Sequence, residues 1–176
     1  MSKISSAPSA LSIETGFDYL MALYAADVLR SDGMQIEKSL PQHGHGSCFD
    51  HSIAVARVSV RIAHALHLRT DVESMIRGAL LHDYFLYDWR DRLEEHRKHG
   101  RKHAGRALVN ARRDFPLSDI SCDIIEKHMF PLNIRPPRYR ESYIVTLADK
   151  VCAVREFTGA MTDRLKKLYR KTTVQR

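Results

Sequence analysis

A chain of 176 residues with 44% apolar and 28% charged residues has the composition of one soluble globular domain, large enough for a proper core. No run approaches the roughly 20 apolar residues of a membrane span, and Cys48, Cys122 and Cys152, odd in number and without a CxxC pair, argue against a disulfide scaffold and for a reducing, cytoplasmic setting. The net charge of +7 favours anionic partners such as phosphorylated small molecules, whereas no stretch interleaves basic with aromatic residues, which argues against nucleic acid.

Residues 1–14 begin Ser/Ala-rich and carry no long apolar segment, so a disordered start is expected rather than a signal peptide. Residues 15–170 are expected to form one domain and 171–176 a basic tail. Phe17, Leu20, Met21, Tyr24 and Val28 recur at helical spacing, predicting a helix from Thr15 to Arg30 that Ser31-Asp32-Gly33 stops. A Gly-rich loop, Gln42 to Ser47, leads into a helix of about Ser47–Leu66, where His51, Val55, Val58 and Ile62 share one face. The next helix runs from Asp71 to Asp83, with Thr70 or Asp71 as its cap. There Ile76, Leu80 and Asp83 form one stripe, and Met75, Ala79 and His82 another.

Tyr84 to His99 is irregular, aromatic and charged. His103 to Arg113 reads as a helix ended by Phe115-Pro116. Ser118 or Asp119 can cap another, running to His128 over Ile124 and Ile125. After a proline-rich break over Pro131–Pro137, one long helix is predicted from Arg140 to about Tyr169. On it Val145, Asp149 and Cys152 share a face, beside Ile144, Leu147, Val151 and Val154. No alternating strand pattern occurs, so the class is all-α, a bundle of about six to seven helices.

The chain holds ten histidines, and some fall where histidine is expensive. His51, His82, His128 and Asp149 each sit among inward-facing apolar residues on a different predicted helix, and Asp83 is one step beyond His82. A single buried histidine is usually a satisfied core residue, but a carboxylate is almost never fully buried unpaired. Several such groups on separate helices point together to a divalent metal held inside the bundle. Imidazole and carboxylate without cysteine suit Mn, Fe, Ni, Co or catalytic Zn rather than structural zinc. His64, His67 and His96 read as surface residues, while His43, His45 and His99 fit either place.

The order His51, His82-Asp83, His103, His128, Asp149 resembles the HD superfamily of metal-dependent phosphohydrolases. The local contexts agree: Asp50-His51-Ser52 opens a helix, Gly78-Ala79-Leu80-Leu81-His82-Asp83 resembles the signature helix, and Thr146-Leu147-Ala148-Asp149-Lys150 resembles the last aspartate motif. The resemblance spans about Ser47 to Glu156. It implies that His51, His82, Asp83 and Asp149 bind one metal, that His103 and His128 add a second in the two-metal branch, and that Asp83 bridges. His128-Met129 stands where some relatives carry a double histidine, implying fewer protein ligands for the second ion. The GYP motif of cyclic-di-GMP hydrolases is not seen.

The implied activity is hydrolysis of a phosphoester or phosphoanhydride, of a nucleotide or related small molecule, by water activated on one or two divalent ions (Fe, Mn, Ni, Co, Zn or Mg). Asp83 and Lys150 are the candidate catalytic residues. Lys150, Arg77 and Arg135 are candidates to hold phosphate, and Tyr84 to Trp89 to wall an apolar leaving group. Two other readings use the same ligands: a two-iron oxygenase, and a metal-holding regulatory or binding domain without turnover. A homodimer stays open, as does a partner for the basic stretch Arg164–Arg170.

Overall fold

The computed structural model describes residues 10–42, 46–90 and 99–173, with side chains described for 15–42, 46–90 and 102–162. Among the described residues there are eight helices and no strand, beyond one isolated bridge between Pro41 and Ser47. They are α1 (Ala10–Tyr24), α2 (Ala26–Arg30), α3 (Asp32–Glu37), α4 (Cys48–Ala65), α5 (Val72–Leu81), α6 (His99–Asp114), α7 (Asp119–Lys127) and α8 (Arg140–Thr173). The all-α class holds, and no described helix is long and apolar enough to cross a membrane. The frayed start falls mainly on residues 1–9, outside the described residues, and α1 already begins at Ala10. α8 runs on to Thr173, so the expected basic tail starts inside a helix, and the side chains of Arg164–Arg170 lie outside those described.

Four helices carry the core. α4 packs on α5 and α8, and α7 packs on the same two, so they close a ring. α6 leans on α7, α1 covers α4 and α5, and α3 lies on α4. Most of their ends are set by short-range side-chain chemistry. Ser47 accepts from the Asp50 amide while Asp50 accepts from the Ser47 amide, a reciprocal cap that starts α4. His67 takes a left-handed conformation (φ 50°) just past α4, and the Leu68 amide reaches back to the Ala63 carbonyl at 2.9 Å, closing that helix. Asp71 accepts from the Ser74 amide to start α5, and Ser118 from the Ser121 amide to start α7.

Polar groups then tie helix starts together. Ser74 and Ser118 hydroxyls meet at 2.7 Å, Ser121 donates to the Ser74 carbonyl at 2.9 Å, and Glu141 accepts from the Asp71 amide at 3.0 Å. With α5, α7 and α8 joined at their starts, the opposite ends of α5 and α7 are left to face the interior.

Four expectations change. The predicted helix from Thr15 to Arg30 is broken at Ala25, because Arg77 reaches the Tyr24 carbonyl at 3.0 Å and pairs with Asp27 at 2.8 Å, diverting a carbonyl from the helix. Ser31 ends α2 but also caps the short α3, which local spacing did not reveal. On α8 the core takes Ile144, Val145, Ala148 and Cys152, leaving Leu147, Val151 and Val154 in solvent at 52%, 38% and 62% exposure. On α4 His51 and Val55 are buried as expected, together with Ser52, Ala56, Ser59 and Ala63, while Val58 and Ile62 are only half-buried at the margin.

Candidate metal centre

His82 and His128 are placed by the same local device. Each is the C-cap of its helix, α5 or α7, and folds its ring back so that Nδ1–H donates to a carbonyl three residues earlier: Ala79 at 2.7 Å and Ile125 at 2.9 Å. That bond leaves the Nε2 lone pair directed into the interior. His82 Nε2 is buried with no hydrogen-bond partner, and so is Asp83 Oδ1. Both helices also present their C-terminal carbonyl ends to this spot, which favours a cation.

Two groups of donors form around Asp83. In the first, His51 from α4 joins His82 and Asp83, all buried. Asp149 from α8 lies 3.1 Å from His51 Nε2 and 3.7 Å from His82 Nε2. In the second, His103 from α6 and His128 meet Asp83, with their Nε2 atoms 2.9 Å apart. The two oxygens of Asp83 divide the work. Oδ2 lies 3.5 Å from His82 Nε2, while Oδ1 lies 3.3 Å from His103 Nε2 and 3.5 Å from His128 Nε2. Gln42 fixes the carboxylate by donating to Oδ2 at 2.5 Å. Glu156, one pair of turns beyond Asp149, accepts from His51 Nδ1 at 2.9 Å, as a carboxylate does behind a metal-bound histidine.

The electrostatics of the cluster suit a cation. Burial pulls the His51 imidazole down, but hydrogen bonds to Asp149 and Glu156 and the charge of Asp83 outweigh it, raising His51 to about 10. His82 is also raised: burial opposes this and the Asp83 charge overcomes it. His128, surrounded by other imidazoles, is lowered to about 3, first by burial and then by the charge of His82. Burial would raise Asp83 and Asp149, yet the neighbouring histidines hold both well below the usual carboxylate range. Unpartnered inward donors, convergent helix ends and a nitrogen–oxygen donor set all fit divalent metal.

All six sequence-predicted ligands, His51, His82, Asp83, His103, His128 and Asp149, are brought together. Asp83, His103, His128 and Asp149 line the floor of a cavity of about 610 Å³ whose walls include Trp89, Met129, Pro131, Leu132 and Lys150, with His51 and His82 buried outside its lining. The Lys150 ammonium donates to the His128 carbonyl at 3.2 Å, at the cavity wall. Trp89 is pinned by its indole N–H to the Pro41 carbonyl at 3.0 Å, and Asn110 on α6 holds the Tyr84 and Phe85 carbonyls at 3.1 and 3.2 Å. Tyr84 and Phe85 are therefore core residues, and the wall falls to Trp89.

Arg77 and Arg135 are not brought to this cavity. Arg77 faces α1 and α2, where Asp27 and the Tyr24 carbonyl occupy it, because its position on α5 lies on the side away from His82. Arg135 is exposed beside Glu126 and Asn133 in a separate groove. His64 and His67 are exposed as expected, while His43, His45 and His96, and the side chain of His99, lie outside those described. Sequence spacing missed Gln42, Glu156 and the buried Glu37. Only Glu156 carried a signal, standing seven residues beyond Asp149 on one helix face.

A family model for the HD domain matches residues 48–154. The chain belongs to the HD-domain family. No curated protein and no solved structure matches it. The match begins with α4 and ends on α8, so it takes in all six donors, and the HD step itself is His82-Asp83 at the end of α5.

Proposed function

We propose that this HD-domain protein is a metal-dependent phosphohydrolase that cleaves a phosphoester or phosphoanhydride bond of a small phosphorylated molecule, such as a nucleotide. The observation that carries this reading is the divided carboxylate of Asp83, one oxygen toward each histidine group, on the floor of a cavity with Lys150 in its wall. Family membership supports it, since the HD superfamily consists mostly of enzymes of this kind. Divalent ions in the two groups would lower the pKa of water and offset charge on phosphoryl oxygens.

The chain's own residues have distinct tasks. His51, His82 and Asp149 hold the first position, and His103 and His128 the second. Asp83 fixes their spacing, and Gln42 fixes Asp83. Lys150, held by the His128 and Thr146 carbonyls, carries positive charge to the edge of the cavity, where a phosphoryl group gains charge on cleavage. Trp89, Met129, Pro131 and Leu132 give the leaving group an apolar wall, which suits a base or another flat apolar group.

The test is an anaerobic screen of the purified protein, loaded in turn with Mn, Fe, Ni, Co, Zn and Mg, against nucleotides, phosphomonoesters and phosphodiesters. Phosphate release without oxygen is the expected result. Turnover that strictly requires oxygen would replace this reading with the two-iron oxygenase. Stoichiometric metal binding with no turnover of any of these substrates would favour a regulatory or binding domain.

A further inference from the structure

Glu37 ends the short helix α3 and is completely buried, with neither carboxylate oxygen in any hydrogen bond. Its position is fixed from both sides. One turn earlier, Gly33 packs against the Tyr84 phenol so closely that a side chain there would collide with it. Five residues later, Gln42 donates to Asp83 Oδ2. The segment from Gly33 to Gln42 thus runs along the Asp83-Tyr84 step, and Glu37 lies between its two anchors. The adjacent Lys38 does not neutralise it: its ammonium donates to Gln35 at 2.8 Å and lies over the Phe49 ring.

A carboxyl group so placed is costly unless something pairs with it. A glutamic acid kept for structure would donate its proton to a neighbour, and Glu37 has no such neighbour. Burial, and then the charge of Asp83, hold it well above the usual carboxylate range, with only His51 acting in the opposite sense. Positive charge beside Asp83 would reverse that balance. With Glu37 ionised, Asp83, Asp149, Glu156 and Glu37 would carry four negative charges, which two divalent cations would match while the histidines stay neutral.

We propose that Glu37 is a positioning residue of the metal centre, a fourth carboxylate whose charge is compensated only when cations occupy the two donor groups. This rests on the reading of the site as a metal centre. Glu37 acts through the field on Asp83 and His51, setting how tightly the cations are held.

The test compares the full-length wild type with Glu37→Gln and Glu37→Met. It measures Mn(II) and Co(II) affinity by calorimetry, stoichiometry by elemental analysis, and melting temperature with and without metal. Metal-free, both variants should melt at or above the wild type, because an unpaired buried acid has been removed. Metal affinity should fall by about ten- to a hundredfold, the usual cost of losing a group that supports metal ligands. The stabilisation on adding metal should shrink in parallel. Glu37→Met keeps the test decisive if the amide variant folds poorly.

Variants that match a metal-binding wild type in affinity and stoichiometry would overturn this inference alone. Metal-free unfolding of both variants would also overturn it, since that marks a structural glutamate. A wild type that binds neither ion would overturn the metal-centre reading, and this inference with it.

Discussion

The two donor groups that share Asp83 are built from different materials. The first sets His51 and His82 against Asp83 and Asp149, with Glu156 behind His51. The second has two imidazoles, His103 and His128, and only the shared oxygen of Asp83. Positive charge is welcome in the first, where His51 rises to about 10, and resisted in the second, where His128 falls to about 3. A proton is a poor cation, but it reports the same field a metal would feel. The first group, with two carboxylates among its donors, is therefore expected to hold a divalent cation more tightly than the second, which has only the shared carboxylate of Asp83.

The largest effect should come from removing that shared carboxylate. Asp83→Ala takes a ligand from both groups, so elemental analysis should find almost no metal, with turnover reduced by about a thousandfold or more. Full metal content in that variant would break the comparison at its root. His103→Ala should touch only the weaker position, moving stoichiometry from two ions to one while leaving the tight ion in place. A variant that kept two ions would remove His103 from the site.

Glu156→Gln weakens the support of His51 alone. Its effect should be about a ten- to hundredfold loss of affinity at the tighter position, with the weaker one unchanged. A calorimetric titration resolving two binding events would separate this from a uniform loss.

The smallest effect is on the metal-free protein. A histidine raised in the folded state from 6.5 to about 10 contributes stability that is fully present below 6.5 and lost as pH rises toward 10. Asp149 is lowered, so its contribution is present above 3.8 and lost only as the solution becomes more acidic. The metal-free melting temperature should thus decline between about pH 6.5 and 10, and His51→Gln should flatten the decline. A melting temperature flat across that range would deny the first group its electrostatic character.

Much of this was legible because the causes are local. Ser47, Asp71 and Ser118 cap their helices through residues three positions away, which spacing can show. His51, His82, His128 and Asp149 stood out as burial-averse groups among core-facing apolar residues, with Asp83 one step on, whereas His103 came only from the HD resemblance. What stayed hidden depends on distant partners. The break at Ala25 is made by Arg77, from another helix, and the same contact draws Arg77 away from the cavity. Gln42 finds Asp83 across 41 positions, and the burial of Glu37 depends on where α3 lands. Leu147, Val151 and Val154 fit a core stripe by spacing, but α8 offers more apolar surface than the bundle covers.

Gly78 stands four residues before His82, and Ile124 four before His128. A Cβ on Gly78 would sit 2.7 Å from Ile124 Cδ1 and 2.9 Å from its Cβ, so α5 and α7 cross in contact one turn below the two histidines. Their rings consequently come within 4.9 Å, centre to centre. The missing methyl group is a ruler: it sets how closely the His82 and His128 rings approach each other. Gly78→Ala alters no donor atom, yet it would pry the helices apart and draw the two imidazoles out of reach of a shared carboxylate.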